Sequence, residues 1–167
     1  MSYVVRRAVS ADHIAISEIA KRTFALACPP QTPATEIATY IAQNLQSEDF
    51  LRMSTDPSVS LWVALHKDVP IGFSLIKHQP EPLQIARADG IPELSKCYVL
   101  VEHHGAGVAS LLVQRSLEQL HGPVRLTVSE ANARAIAFYQ RNGFEIIGET
   151  TFQVGDDLHR DWVMRRG

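Results

Sequence analysis

His104-Gly105-Ala106-Gly107-Val108-Ala109 lies between an apolar run, Tyr98-Val99-Leu100-Val101, and a helix-like run, Ser110-Leu111-Leu112-Val113-Gln114-Arg115. A glycine-rich turn that passes from strand to helix exposes backbone N–H groups, and the helix dipole adds partial positive charge at the same point. Such a turn is a place to hold a pyrophosphate. A second element follows one strand later: Asn132, then Phe138-Tyr139-Gln140-Arg141-Asn142-Gly143-Phe144. Either element alone is a weak signal; the pair, in this order and spacing, is specific.

The rest of the chain sets the frame for these two elements. It has 167 residues, 46% hydrophobic and 20% charged, which suits one soluble domain, residues 1–167, with a real core. The net charge of -2 gives no electrostatic case for nucleic acid or an anionic membrane as partner. The N-terminal Met1-Ser2-Tyr3-Val4-Val5-Arg6-Arg7 does not resemble a signal peptide. No apolar stretch approaches the ~20 residues needed to span a bilayer. Cys28 and Cys97 are too few and too far apart for a disulfide framework, so a reducing cytoplasm is expected.

Tyr3–Ala8 reads as an opening strand, and Ser10 is positioned to cap a helix to about Phe24 through Ile14 and Ile19. Cys28-Pro29-Pro30 breaks it, a second helix fits Ala34–Leu45, and Ser47 can start a short third one through Phe50, Leu51 and Met53. Val59–Leu65 and Val69–Lys77 form a hairpin about His66-Lys67-Asp68, and Gln79–Gly90 is a loop long enough to be functional. Leu94–Val101 is a strand, Gly107–Leu120 a helix, Val124–Val128 a strand and Ala133–Arg141 a helix closed by Asn142-Gly143. Phe144–Ile147 and Trp162–Met164 belong to the last two strands. The order β-α-α-β-β-β-α-β-α-β-β predicts an α/β (α+β) domain, a mixed sheet covered by helices.

At these residues the chain resembles the GNAT superfamily of N-acetyltransferases, which move an acetyl group from acetyl-CoA to an amine. The family's cofactor signature is Gln or Arg, two free positions, Gly, one free position, then Gly or Ala. His104-Gly105-Ala106-Gly107-Val108-Ala109 matches it except at the first position, where His104 stands for Gln or Arg. Asn132, Phe138-Tyr139 and Asn142-Gly143-Phe144 match the later signature, and the whole element order agrees. The resemblance implies the acyl-CoA N-acyltransferase fold, a mostly antiparallel mixed sheet with helices on both faces. Glu93-Leu94-Ser95-Lys96-Cys97-Tyr98-Val99-Leu100-Val101 is most similar to the polyamine or small-amine branch.

Acetyl transfer needs a neutral amine, a held thioester and a proton for the leaving thiolate. An alkyl amine has a pKa near ~10.4 and is mostly charged at neutral pH, so a positioned carboxylate or its water must take a proton. The resemblance makes Glu93 the candidate: it stands six residues before Val99, as the base glutamate does in family members that have one. Even spacing puts Glu93, Cys97, Val99 and Val101 on one strand face. Resemblance makes Tyr139 the general acid, its hydroxyl facing the CoA sulfur. It also implies that His104, Gly105, Ala106, Gly107, Val108 and Ala109 hold the pyrophosphate. Val99, Leu100 and Val101 would grip the pantetheine arm as an added strand, with Asn132 touching the cofactor.

The competing readings are structural. Glu93 could be a solvated carboxylate, Tyr139 a core tyrosine, the glycine turn a plain turn, and Asn132 a cap alone. His103 and His104 would point apart on a strand, and none of the other histidines has an i, i+4 partner, so no metal site is expected. Cys97 reads as a buried small residue, without a His base tied to it by spacing. A nucleotide-dependent oxidoreductase is the rival enzyme class; its turn would come too late in the chain for a doubly wound sheet. A non-catalytic acyl-CoA-binding module would keep the turn without needing Glu93 or Tyr139. The acceptor is expected to be a small-molecule or peptide amine, in a cleft made by the first two helices, residues 28–35 and the loop 79–90. A homodimer is the family-level expectation.

Overall fold

The computed structural model describes residues 2–167, and the side chains of all of these except Phe152 and Val154. Strand β1 (Tyr3–Arg7) leads into helices α1 (His13–Ala27), α2 (Ala34–Asn44) and α3 (Ser47–Thr55). Strands β2 (Val59–His66), β3 (Val69–Lys77) and β4 (Glu93–Val99) follow, then α4 (Val108–Leu117), β5 (Val124–Ser129), α5 (Ala133–Arg141), β6 (Glu145–Val154) and β7 (Asp157–Arg166). One seven-stranded sheet runs β1-β2-β3-β4-β5-β7-β6. Its pairs are antiparallel except β4 with β5, which are parallel. This is the expected mixed, mostly antiparallel sheet, with the short third helix present as α3. Among the described residues, no helix is long and apolar enough to cross a membrane.

Each face of the sheet buries its own core. Ile16, Ile19, Ala20 and Phe24 form the apolar stripe of α1 and pack with Phe50 of α3 on Leu61, Val63, Leu65, Phe73 and Leu75. The opposite face carries α4 and α5, where Leu94, Val113, Val124, Leu126, Val128 and Met164 are buried together. Gly72 lets α4 lie close, since a Cβ there would sit 2.9 Å from Tyr98 O and 3.3 Å from Leu112 Cδ1. Ile14, expected inside, is 61% exposed, because the buried stripe runs through Ile16 instead. Ser10 is not the cap of α1: it begins a 3-10 turn, and Asp12 takes the capping place, accepting from Val9 N–H at 2.8 Å and from Arg6. The β2–β3 hairpin closes with Lys67 and Asp68 both at positive φ, 51° and 64°, the twist a two-residue turn requires.

Two differences from the sequence reading bear on the site. Strand β4 ends at Val99, and Val101 lies in a 3-10 turn, Val101–His103, rather than in the strand. The β3–β4 ladder also shifts register between Leu75 and Ile76, opposite Lys96 and Leu94, so Ser95 is a bulge residue. A bulge reverses the inside–outside alternation on one side of it. Glu93 therefore shares the α1 face with Lys96 and Tyr98, and not, as even spacing implied, with Cys97, Val99 and Val101. The C-terminal hairpin is much longer than the two short strands expected. Its outer residues, such as Glu149, Thr151, Gln153 and Arg160, are exposed and polar, so no apolar alternation marked them as strand.

Candidate active site

Strands β4 and β5 pair only at Glu93 and Arg125, and beyond that point they diverge. Leu100 N–H turns to β3 (Ile71 O, 2.9 Å), so the backbone of neighbouring Val99 faces the gap. A cavity of about 960 Å³ passes through this gap. On one side it is lined by Gly105, Gly107, Val108, Ala109, Asn132 and Tyr139, and on the other by Phe24, Tyr40, Lys96, Tyr98 and Asp161. Most of the residues singled out in the sequence thus border one continuous space.

The glycine turn has the form an anion site needs. Gly105 and Gly107 stand at φ 82° and 83°, a region L side chains rarely adopt. Gly107 caps α4, and Leu111 N–H is the first to bond back to it, at 3.1 Å to Gly107 O. Among the described residues, the N–H groups of residues 105–110 have no backbone acceptor, which is the unsatisfied end of a helix. His104 and His103 are not on a strand. His104 Nε2 donates to Val99 O at 2.8 Å, which leaves Nδ1 to accept from Arg134 Nη1 of α5. His103 Nδ1 shares a hydrogen bond of 3.0 Å with Tyr3 Oη. Arg134, which the sequence reading passed over, brings a guanidinium to the turn where the family signature has Gln or Arg. The carbonyls of Val99 and Val101 are both occupied by His104, through its ring and its N–H respectively. Asn132 caps α5 through Oδ1, which accepts from Ala135 N–H at 3.1 Å.

Tyr139 packs edge-on against Phe138 and Phe144, with centroids 5.2 and 5.8 Å away. Burial, then the neighbouring Cys97 and Tyr98, holds its hydroxyl proton well above the ordinary phenol range. Glu93 Oε1 accepts from Arg125 Nε at 3.2 Å. Arg125 is 1% exposed and also donates to Ala88 O (3.0 Å) and Glu81 O (2.6 Å), tying the loop 79–90 to the start of β4. Nothing in the local sequence marked Arg125 as this hub; a basic residue at the start of a buried strand was the only signal.

Three further groups on the cavity wall escaped the sequence reading. Asp161 is 6% exposed, and its Oδ1 has no hydrogen-bond partner among the described residues. Burial, with Glu130 nearby, raises its carboxyl to about 6. His159 Nε2, two residues along β7, is likewise buried without a partner. Lys96 is lowered to about 8 by burial and by Lys77, against the pull of Glu93. Burial pushes the Cys97 thiol up to about 12 and raises Cys28 as well. Among the described residues, no group of three or more His, Cys, Asp or Glu side chains is placed to hold a metal ion.

A strand-to-helix anion turn beside a splayed sheet, opening on a cavity with a protonated tyrosine, is the arrangement of an acyl-CoA-dependent transferase. The chain belongs to the Acetyltransferase (GNAT) family, whose pattern matches residues 18–144. It is an acetyl-CoA-dependent acetyltransferase. It is 36% identical over 155 residues to the uncharacterized N-acetyltransferase Rv2669 of Mycobacterium tuberculosis (strain ATCC 25618 / H37Rv), covering 90% of this chain and 94% of that one. It is 28% identical over 118 residues to the peptidyl-lysine N-acetyltransferase YjaB of Escherichia coli (strain K12), covering 70% and 68%. Among solved structures, the PaiA N-acetyltransferase of Thermoplasma acidophilum in complex with coenzyme A superimposes with a TM-score of 0.77 at 20% identity over 99% of each chain.

Proposed function

We propose that this protein transfers acetyl from acetyl-CoA directly to a primary amine (a small amine, a polyamine or a peptide N-terminus) with both substrates bound together. The observation that carries the reading is the cavity joining the glycine turn to the α1 side of the sheet, with Tyr139 on its wall. The residues fit coenzyme A. Free N–H groups from Gly105 to Ala109, with Arg134 alongside His104, suit the pyrophosphate. Val99 and Val101 have their carbonyls committed, so they offer their N–H groups to the pantetheine amides, with Leu100 holding this edge to β3. Asn132 orients the start of α5.

The amine nitrogen attacks the thioester carbonyl carbon, the C–S bond breaks, and the thiolate takes the hydroxyl proton of Tyr139. Glu93, oriented by Arg125, takes the surplus amine proton through water. The state of the thiols supports direct transfer. A nucleophilic cysteine acts as its thiolate, and burial keeps Cys97 and Cys28 protonated at neutral pH. The free state of both cysteines supports a reducing compartment, the cytoplasm.

Thiol release from acetyl-CoA, followed with and without amines, tests the reading. Release is expected only when an amine is present, with no acetyl adduct on the protein by intact mass. Release without amine together with an acetylated protein would show an acyl-enzyme route and overturn it.

A further inference from the structure

The α1 side of the cavity carries charge that the transfer chemistry leaves unused. Lys96 of β4 and Lys77 of β3 both line it. Among the described residues, neither has a hydrogen bond or an ion pair. Glu93 lies on the same face as Lys96, but its carboxylate is bonded to Arg125. Across the gap, Asp161 Oδ1 is buried and unpartnered on the same face of the sheet, since Asp161 pairs with Ser129 of β5. Asp161 lines the same cavity as Tyr98, the residue before Val99 at the splay. Asp161 is a buried carboxyl without a partner, which is costly unless a ligand completes it. On the same pocket wall stand the half-buried Lys96 and the exposed Lys77, with Phe24, Tyr40 and Leu75.

We propose that the acceptor is an amine that also bears an anionic group, a carboxylate or a phosphate: Asp161 receives its amine beside the splay, and Lys96, with Lys77, receives its anion. This rests on the acetyl-transfer reading and narrows its acceptor. A polyamine would set additional cations against Lys96 and Lys77, whereas an amino acid or an amino phosphate pairs with both ends of the pocket.

The test uses matched acceptors in the thiol-release assay: 4-aminobutyrate against butylamine, phosphoethanolamine against ethanolamine, and spermidine. The anionic member of at least one pair should have a kcat/KM about tenfold higher or more. The better pair identifies the anion as carboxylate or phosphate. Lys96→Gln should erase that preference by raising KM with kcat held, while Lys96→Arg keeps it and shows that the cation, not the fold, was lost. Asp161→Asn should raise KM for both members of a pair. Equal or better use of the neutral amines or spermidine, or a preference that survives Lys96→Gln, would overturn the inference and leave acetyl transfer standing. Loss of kcat at unchanged KM in Asp161→Asn would make Asp161 the proton acceptor and overturn its role as a docking group. No release with any amine would sink the acetyl-transfer reading and this inference together.

Discussion

At the scale of single residues, His104 and Arg134 are proposed to share the task that the family signature gives to one side chain. His104 is committed to Val99 O, and its other ring nitrogen accepts from Arg134, which leaves the remaining guanidinium donors at the mouth of the turn. Arg134→Ala is expected to weaken acetyl-CoA binding about tenfold by calorimetry, the ~1.4 kcal/mol of one exposed charge-assisted contact. The loss should shrink as salt is added. Unchanged affinity would remove Arg134 from the cofactor site. The glycines of this turn were legible in the sequence because their requirement is local: a positive φ where strand becomes helix. Arg134 was not, because only the packing of α5 against the turn brings it there. Tyr139 was legible for the same reason as the glycines, as part of a fixed local pattern on one helix.

At the scale of elements, the strands held what the sequence could not show. One bulge residue, Ser95, moves Glu93 to the face of Lys96 and Tyr98, and no residue type in Glu93–Val99 announces it. Strand β7 was seen only at Trp162–Met164, so Asp161 went unnoticed. The strand buries that carboxylate, and this has a consequence for stability. Its folded pKa is raised to about 6 from an ordinary 3.8, so the folded state holds the proton more tightly than the unfolded one. The stability this contributes is full below the unfolded value and is lost as pH rises through about 6. At pH 7 the charged group is a net cost, on the order of 1–2 kcal/mol once solvent in the cavity is allowed for. Asp161→Asn should therefore be more stable than the native chain at pH 7, with the gap closing toward pH 5 in thermal or denaturant unfolding. A variant that is no more stable, at a gap that ignores pH, would mean that Asp161 is not a strained buried charge. Gain in stability with loss of acceptor binding is the expected mark of a functional group.

At the scale of the whole molecule, the element order was readable from periodicity and turn residues, because most of the helices and strands turn an apolar face toward one of the two cores. The cavity was not readable. It exists because the parallel pair β4 and β5 meets at Glu93 and Arg125 and then parts, and because Arg125 ties the loop 79–90 against the opening. Those are contacts between residues far apart in the chain. The cavity that results joins the glycine turn on one side of the sheet to Lys96 and Asp161 on the other, the proposed acceptor side. Tyr139 of α5 lies on the wall of this cavity, and burial raises its hydroxyl above the ordinary phenol range; under the proposed mechanism it is the acid for the departing thiolate.

The most direct measurement is therefore steady-state turnover of Tyr139→Phe alongside its acetyl-CoA affinity by calorimetry. Turnover should fall by about 10²–10⁴ while affinity stays unchanged, since the ring and its packing remain and only the transferable proton is lost. Native turnover in the variant would contradict the assignment of Tyr139 as the acid.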